Sequence, residues 1–352
     1  MTIVTGIRQK MNAWWLRRHR GRLGVDLQGS TVRVVHTRPL SQGGVELVSF
    51  GSIEIDPFHA DDISLSVFRQ FLARQAGKSR IVALGLEHES LRIRRMDLPP
   101  MPDADFREAL RWNFREHVDC PPEAYHVDAL PLPGLPPNGV KPVLAFGVAE
   151  AAIRERVELV ERWNFKLGWL EPAATAIMQV FSTNDLLAHD RTMACLVLDE
   201  TTALLTVMRD SALLFSRPLV IGNLTSLAQL VLQEGGTAAT SPGALVKRWL
   251  SEKESLNVDA RPVMERFMSE LVVDIERSLN AFSLQYGTES INDIFVCGAA
   301  LASPGLLEHI HSSLGTPVSM IDPFAKITLA TPVMDDPQER SRYTVAMGLS
   351  LL

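Results

Sequence analysis

The sequence has no apolar run that reaches the roughly 20 residues a membrane-spanning helix needs. The longest candidate, 294–307, is interrupted by Gly298, Pro304 and Gly305 and reads as a buried strand, a turn and a helix start. No apolar segment follows the N-terminal bases, so a secretory signal is not expected. Cysteine is scarce: Cys120, Cys195 and Cys297 are far apart, odd in number and form no CxxC pair. That excludes a disulfide framework and fits a reducing cytoplasm. The histidines are scattered, and His309 and His311, two apart on a predicted helix, point to different faces. Neither a zinc site, nor a Ser-His-Asp or Cys-His nucleophile, nor a P-loop lysine motif is legible.

What is present is globular. The 352 residues suggest two domains at about 150 residues each. A content of 46% hydrophobic and 22% charged residues supplies a core. The net charge of −6 argues against nucleic-acid binding. The charge is uneven, because residues 1–22 carry Arg8, Lys10, Arg17, Arg18, Arg20 and Arg22 and no acid. This segment is +6, which leaves −12 for the rest (−6 minus 6). With Trp14 and Trp15 it either rests on an anionic membrane surface or serves as a solubilising tail.

Along the chain one layout occurs twice. Residues 23–26 form an apolar strand ending in Asp26, followed by the turn Gln28-Gly29-Ser30. Strands over 31–37 and 45–55, a helix over 63–76 and a strand over 80–86 come next. The second half repeats this. A strand over 194–198 ends at Asp199, Glu200-Thr201 turns, and strands over 202–208 and 212–220 follow. Helices over 224–233 and 263–286 lead to a last buried strand over 291–297. Two facing halves of this kind create a cleft into which the strand-end carboxylates Asp26 and Asp199 point. Turn N–H groups can then approach phosphate oxygens while the carboxylates hold a hydrated Mg²⁺, as in actin-like proteins. Asp26 and Asp199 are therefore candidate metal ligands, with an Asx-turn as the plain alternative. Gly29, Ser30, Thr31, Arg33, Thr201 and Gly298 join Asp26 and Asp199 as candidate nucleotide contacts.

Residues 87–170 form an insert with strands over 91–98, 124–130, 143–148 and 167–170 and helices over 102–118 and 151–163. It reads as a small α+β subdomain, with the proline-rich turn 131–142 at its edge. Arg92, Arg94 and Arg95 give its first strand a basic edge.

Several segments, in order, resemble the PilM family of type IV pilus assembly proteins. LGVDLQGSTVRVV (23–35) is similar to that family's first phosphate-loop strand pair. In 91–128, Arg94, Met96, Pro99, Ala109, Leu110, Trp112, Asn113 and Pro121 fit its most specific stretch. The phrase Ile275, Arg277, Ser278, Leu279, the adenosine-side segment 294–324 and the closing YTVAMGLSLL also fit, so the likeness spans 23–352.

The resemblance implies an α/β, actin-like (ribonuclease H-like) two-lobed fold with an inserted 1C-type subdomain. The expected domains are a first lobe at 23–86 and 171–190, the insert at 87–170 and a second lobe at 191–352. It also implies a scaffold at the inner face of the cytoplasmic membrane, with ATP and Mg²⁺ between the lobes. Such a scaffold binds the N-terminal cytoplasmic segment of a PilN-type bitopic partner and other pilus platform or motor components, and self-association is compatible with it. Arg92, Arg94 and Arg95 are then candidate partner contacts.

The sequence departs from the family where phosphates would bind. Gln28 and Thr201 stand where Asp-x-Gly loops have glycine, and Glu200 adds a negative charge. The expectation is a degenerate nucleotide cleft and a very slow or absent ATPase. The alternatives are an active actin-like ATPase, a cell-division actin-like protein and a type II secretion platform protein. A cell-division relative ends in a membrane-binding helix, whereas this sequence stops just after the closing helix. A secretion platform continues into a membrane span that is missing here.

Overall fold

The computed structural model describes residues 21–118, 121–133, 139–235, 241–252, 261–287 and 290–352. The basic segment 1–20, Cys120 and the tip of the proline-rich turn lie outside the described residues.

The first lobe starts with β1 (Arg22–Gln28), β2 (Thr31–Pro39), β3 (Val45–Glu54), α1 (Asp62–Ala76) and β4 (Ile81–Gly85). The insert contributes β5 (Arg92–Leu98), α2 (Asp103–Phe114), β6 (Tyr125–Pro131) and β7 (Lys141–Ala149). The chain returns through α3 (Glu150–Arg162), β8 (Lys166–Glu171) and α4 (Ala173–Thr183). The second lobe holds β9 (Thr192–Leu198), β10 (Ala203–Arg209), β11 (Ala212–Pro218), α5 (Leu224–Gly235), α6 (Pro242–Glu252) and α7 (Arg261–Tyr286). It continues with β12 (Asp293–Cys297), α8 (Leu306–Leu314), β13 (Val318–Met320), β14 (Thr328–Leu329), α9 (Pro337–Ser341) and α10 (Thr344–Ser350).

The strand orders are β14-β3-β2-β1-β4-β8 in the first lobe and β11-β10-β9-β12-β13 in the second. In each, the opening strand pairs antiparallel with the next strand and parallel with the strand that follows a helix. The two lobes are thus one topology used twice. The central strands explain why: β9 is buried at every residue and β1 nearly so, which gives both the apolar runs expected of strands covered on two faces. Helix α10 is buried throughout, and it packs on β1 and α4 as a closing element of the first lobe.

Two expectations are corrected. Strand β8, assigned to the insert from sequence, pairs parallel with β4 and is the outer strand of the first lobe's sheet. The three-stranded insert sheet, β5-β7-β6, therefore spans only Arg92–Ala149. The helix expected over 102–118 ends at Phe114 and tightens into a 3₁₀ turn at Arg115–His117. The strand ending at Cys297 is the last buried one; after it β13, which is not buried, joins the second sheet, and the exposed β14 crosses back to pair with β3 of the first lobe.

The insert has its own small core of Met96, Leu98, Leu110, Phe114, Tyr125, Ala129, Val143 and Ala145. The opposite face of its sheet, with Ile93, Leu144, Phe146 and Val148, joins the main core. That two-sided burial seats the subdomain firmly on the body of the molecule.

Candidate functional site

The β1–β2 and β9–β10 hairpins face each other, and their side chains meet directly. Gln28 and Thr31 face each other across the first turn, with Gly29 at φ +58° between them. The second turn is longer, since Leu198 pairs with Ala203 and Asp199 N–H donates to the Thr202 carbonyl at 2.8 Å. The Asp199 and Glu200 carbonyls accept from Leu224 and Thr225 N–H groups, both at 2.9 Å, which ties this turn to the start of α5.

Arg33 sits at the centre. It is 3% exposed, and its guanidinium donates to Asp199 Oδ1 at 2.9 Å and to Glu200 Oε1 at 2.7 Å. Asp26 Oδ2 lies 4.0 Å from the same guanidinium. A cation on the first lobe is thus enclosed by two acids of the second and one of its own, all of them buried. Beside it Gln28 Nε2 donates to Asp26 Oδ1 and to Thr202 Oγ1, each at 3.1 Å. Thr201 donates to Gln28 Oε1 from its hydroxyl at 3.2 Å and its N–H at 3.4 Å. One amide therefore bridges both turns.

The electrostatics follow from burial. Asp26 is pushed up to about 7 by desolvation and then by the Asp199 charge, with Arg33 and the Gln28 hydrogen bond opposing. Glu200 is also pushed up to about 7, by desolvation first, against the pull of Arg33. Burial works to lower the Arg33 pKa, but Asp199, Glu200 and Asp26 outweigh it, and the guanidinium holds its proton more tightly than usual. Three carboxyl groups around one guanidinium exceed its charge. Asp26 Oδ2 and Glu200 Oε2 are buried with no hydrogen-bond partner.

The sequence-predicted residues divide. Asp26, Thr31, Arg33, Asp199 and Thr201 gather at this locus. Gly29 is exposed at the turn, and a Cβ there would meet Thr201 Cγ2 at 3.0 Å. The Ser30 carbonyl accepts from Ile55 N–H at 2.7 Å. Gly298, at φ +113°, packs against the same turn, because a Cβ there would meet the Leu198 carbonyl oxygen at 2.3 Å and Asp199 N at 3.1 Å. Asp26 and Asp199 belong to no converging metal-ligand group among the described residues. The group that does converge is the exposed His189, Asp190 and Asp210. Sequence reading missed Gln28 and Glu200 as site members and saw Glu200 only as a repulsive charge, whereas Arg33 neutralises it.

A second feature involves the three arginines of β5. With Arg217 on β11 they line a cavity of about 580 Å³ between the insert, the first lobe and the second lobe. Arg92 donates to the Glu89 and Leu91 carbonyls, the latter at 3.1 Å, and Arg94 to the Ile93 carbonyl at 2.8 Å. Arg95 donates to the Gln285 carbonyl at 2.8 Å, stacks 4.6 Å above the Tyr286 ring and lies 3.7 Å from Asp97. Glu87, also on the cavity wall, accepts from Ala173 N–H at 2.8 Å, and desolvation pushes it up to about 7.

Duplicated sheets with facing strand-end acids and an inserted α+β subdomain define an actin-like two-lobed protein. The family model described as type IV pilus assembly protein PilM matches residues 141–352. That covers more than half of the chain, and the chain belongs to this family of type IV pilus assembly proteins. Among solved structures it is similar to a PilM-PilN type IV pilus biogenesis complex, at TM-score 0.75 and 19% identity over 94% of this chain and 98% of that one. It is also matched to MreB 5 of Spiroplasma citri bound to AMPPNP, at TM-score 0.47 and 10% identity over 94% and 95% of the two chains. The ethanolamine utilization protein EutJ from Carboxydothermus hydrogenoformans gives TM-score 0.47 and 13% identity over 94% and 88%. No curated protein matches the sequence. No helix among the described residues is long and apolar enough to cross a membrane.

Proposed function

We propose that this protein is a scaffold of a type IV pilus-like assembly machine whose interlobe cleft works without nucleotide. The observation that carries this is Arg33. A protein-borne cation already pairs with both Asp199 and Glu200, where a bound Mg²⁺ would otherwise supply the positive charge. Gln28 hydrogen-bonds to Thr201 and Thr202 across the two turns, so these side chains are engaged with each other where glycines would leave room for phosphate oxygens. The residues present therefore do not fit an ATP–Mg²⁺ pair. The lobes are held together by side chains, and the fold serves through its surfaces.

The partner in this reading is the cytoplasmic segment of a PilN-type bitopic protein, which places the scaffold at the inner face of the cytoplasmic membrane. The family membership and the PilM-PilN complex among the similar structures support it. Arg92, Arg94 and Arg95 are the proposed contacts, because they line the large cavity.

Calorimetric titration with ATP plus Mg²⁺ tests the cleft. No saturable heat is expected at millimolar ATP, and phosphate release should stay at the background rate. Tight binding that disappears in Asp199→Ala would reject a nucleotide-free cleft and favour a working ATPase. Capture of a PilN-type cytoplasmic segment by the full chain tests the scaffold role, and failure to bind any inner-membrane pilus component would sink it.

A further inference from the structure

The cavity at the junction of insert, first lobe and second lobe carries an unusual charge arrangement. Four guanidinium groups, from Arg92, Arg94, Arg95 and Arg217, share its wall. Among the described residues only Arg95 pairs with a carboxylate, Asp97 at 3.7 Å. Among the described residues Arg92 and Arg94 hydrogen-bond to backbone carbonyls alone and Arg217 makes no ion pair. Desolvation and the neighbouring charges of Arg92 and Arg217 weaken the hold of Arg94 on its proton. Like charges brought this close from the insert and the second lobe repel, and Glu87, the acid on the same wall, is pushed toward its neutral form by burial and makes no ion pair with them among the described residues. A site that gathers uncompensated guanidinia is suited to carboxylates, which they bind in a bidentate fork.

Two further features narrow the ligand. Strands β5 and β11, which supply these arginines, are the terminal strands of their sheets, so each has one backbone edge without a strand partner. Such an edge recognises an extended chain through main-chain hydrogen bonds. The wall also holds apolar groups, including Leu91, Leu204 and Phe215, which a small inorganic anion would leave unused. A volume of about 580 Å³ lies within the roughly 300–1,000 Å³ of enclosed ligand sites.

We infer that the cavity between β5 and β11 is a docking site for an extended, carboxylate-rich segment of a partner protein, held by Arg92, Arg94 and Arg217 across the insert and the second lobe. The inference rests on the reading that this cavity receives a partner and adds the chemistry of the occupant. Such a segment bridges two lobes, so its binding also ties the insert to the second lobe.

The test uses the full chain and a fluorescein-labelled hexaglutamate peptide, followed by anisotropy at low salt. Wild type should bind it saturably, and hexalysine should not bind. The double variant Arg94→Glu, Arg217→Glu should bind at least about tenfold more weakly. Its thermal midpoint should be no lower than that of wild type, since neither side chain pairs with a carboxylate among the described residues and the exchange removes like-charge repulsion. Equal binding by wild type and the double variant, or no saturable binding, overturns the inference. Displacement of the peptide by ATP at matched ionic strength also overturns it, by assigning the cavity to a polyphosphate. A PilN-type cytoplasmic segment titrated in parallel separates the two readings. If that segment binds wild type while hexaglutamate does not, the charge inference alone fails. If that segment does not bind either, the partner reading fails with it.

Discussion

The two lobes share a strand order and differ in what their first hairpins carry. In the first lobe the turn is short and the hairpin supplies a cation and an amide, Arg33 and Gln28. In the second the turn is longer and supplies two acids, Asp199 and Glu200. Duplication alone would have set two like-charged hairpins face to face, with an external cation needed between them. Arg33 and Gln28 instead make a direct cross-lobe contact. A shared topology thus preserves where the two hairpins meet, while the side chains decide whether a ligand is needed there.

The largest test of this asymmetry is Arg33→Met. It leaves Asp199, Glu200 and Asp26 buried without their cation, and breaking such a pair costs about 3–5 kcal/mol. Denaturant unfolding should report that loss, and a variant within 1 kcal/mol of wild type would mean the contact does not hold the lobes. Adding Asp199→Asn and Glu200→Gln to the same chain should recover much of the stability, because the uncompensated charges go with the cation.

Two glycines compare the hairpins next. Gly298→Ala drives a methyl into the Leu198 carbonyl and should cost about 2–3 kcal/mol or more. Gly29→Ala meets only the Thr201 methyl and should cost about 1 kcal/mol, mostly for its positive φ. Equal losses would show that the two turns are not packed as differently as their geometry indicates. Gln28→Ala removes the amide that bridges the turns, with an expected loss of about 1–2 kcal/mol.

The smallest effect is in pH. Asp26 and Glu200 rise from ordinary values of 3.8 and 4.5 to about 7 in the folded protein. The folded state therefore binds more protons than the unfolded chain between about pH 4 and 7. Stability from these groups is fully present below the unfolded values and is lost as pH rises through about 7. Acidifying from pH 8 to 6 should raise the wild-type melting temperature more than that of Asp26→Asn. Parallel profiles for the two proteins would remove Asp26 from the account.

Much of the fold was legible because the signals are local. Strand-end Asp26 and Asp199, the apolar runs of β1 and β9 and the 3.6-residue spacing of α1 all lie within short windows. The glycine-poor loops were legible in the same way. The insert boundary was not, because β8 reads as one more short strand after α3 and only its pairing with β4 assigns it to the first sheet. Strand β14, two residues long, carries no periodicity at all. Arg33 alternates along β2 like any half-exposed strand residue, and nothing near it announces an acid 166 residues away. Arg217 joins the β5 arginines only because two sheet edges converge.

By itself the sequence determined a twice-used strand and helix pattern, an inserted subdomain and a cleft short of glycine, since hydrophobic period and turn chemistry act over a few residues. Only the tertiary structure decided that Arg33 and Gln28 reach across to the second lobe's turn and that four arginines share one cavity. Electrostatic pairing depends on distances of 3–4 Å and on burial, and both are set when residues remote in the chain are brought together.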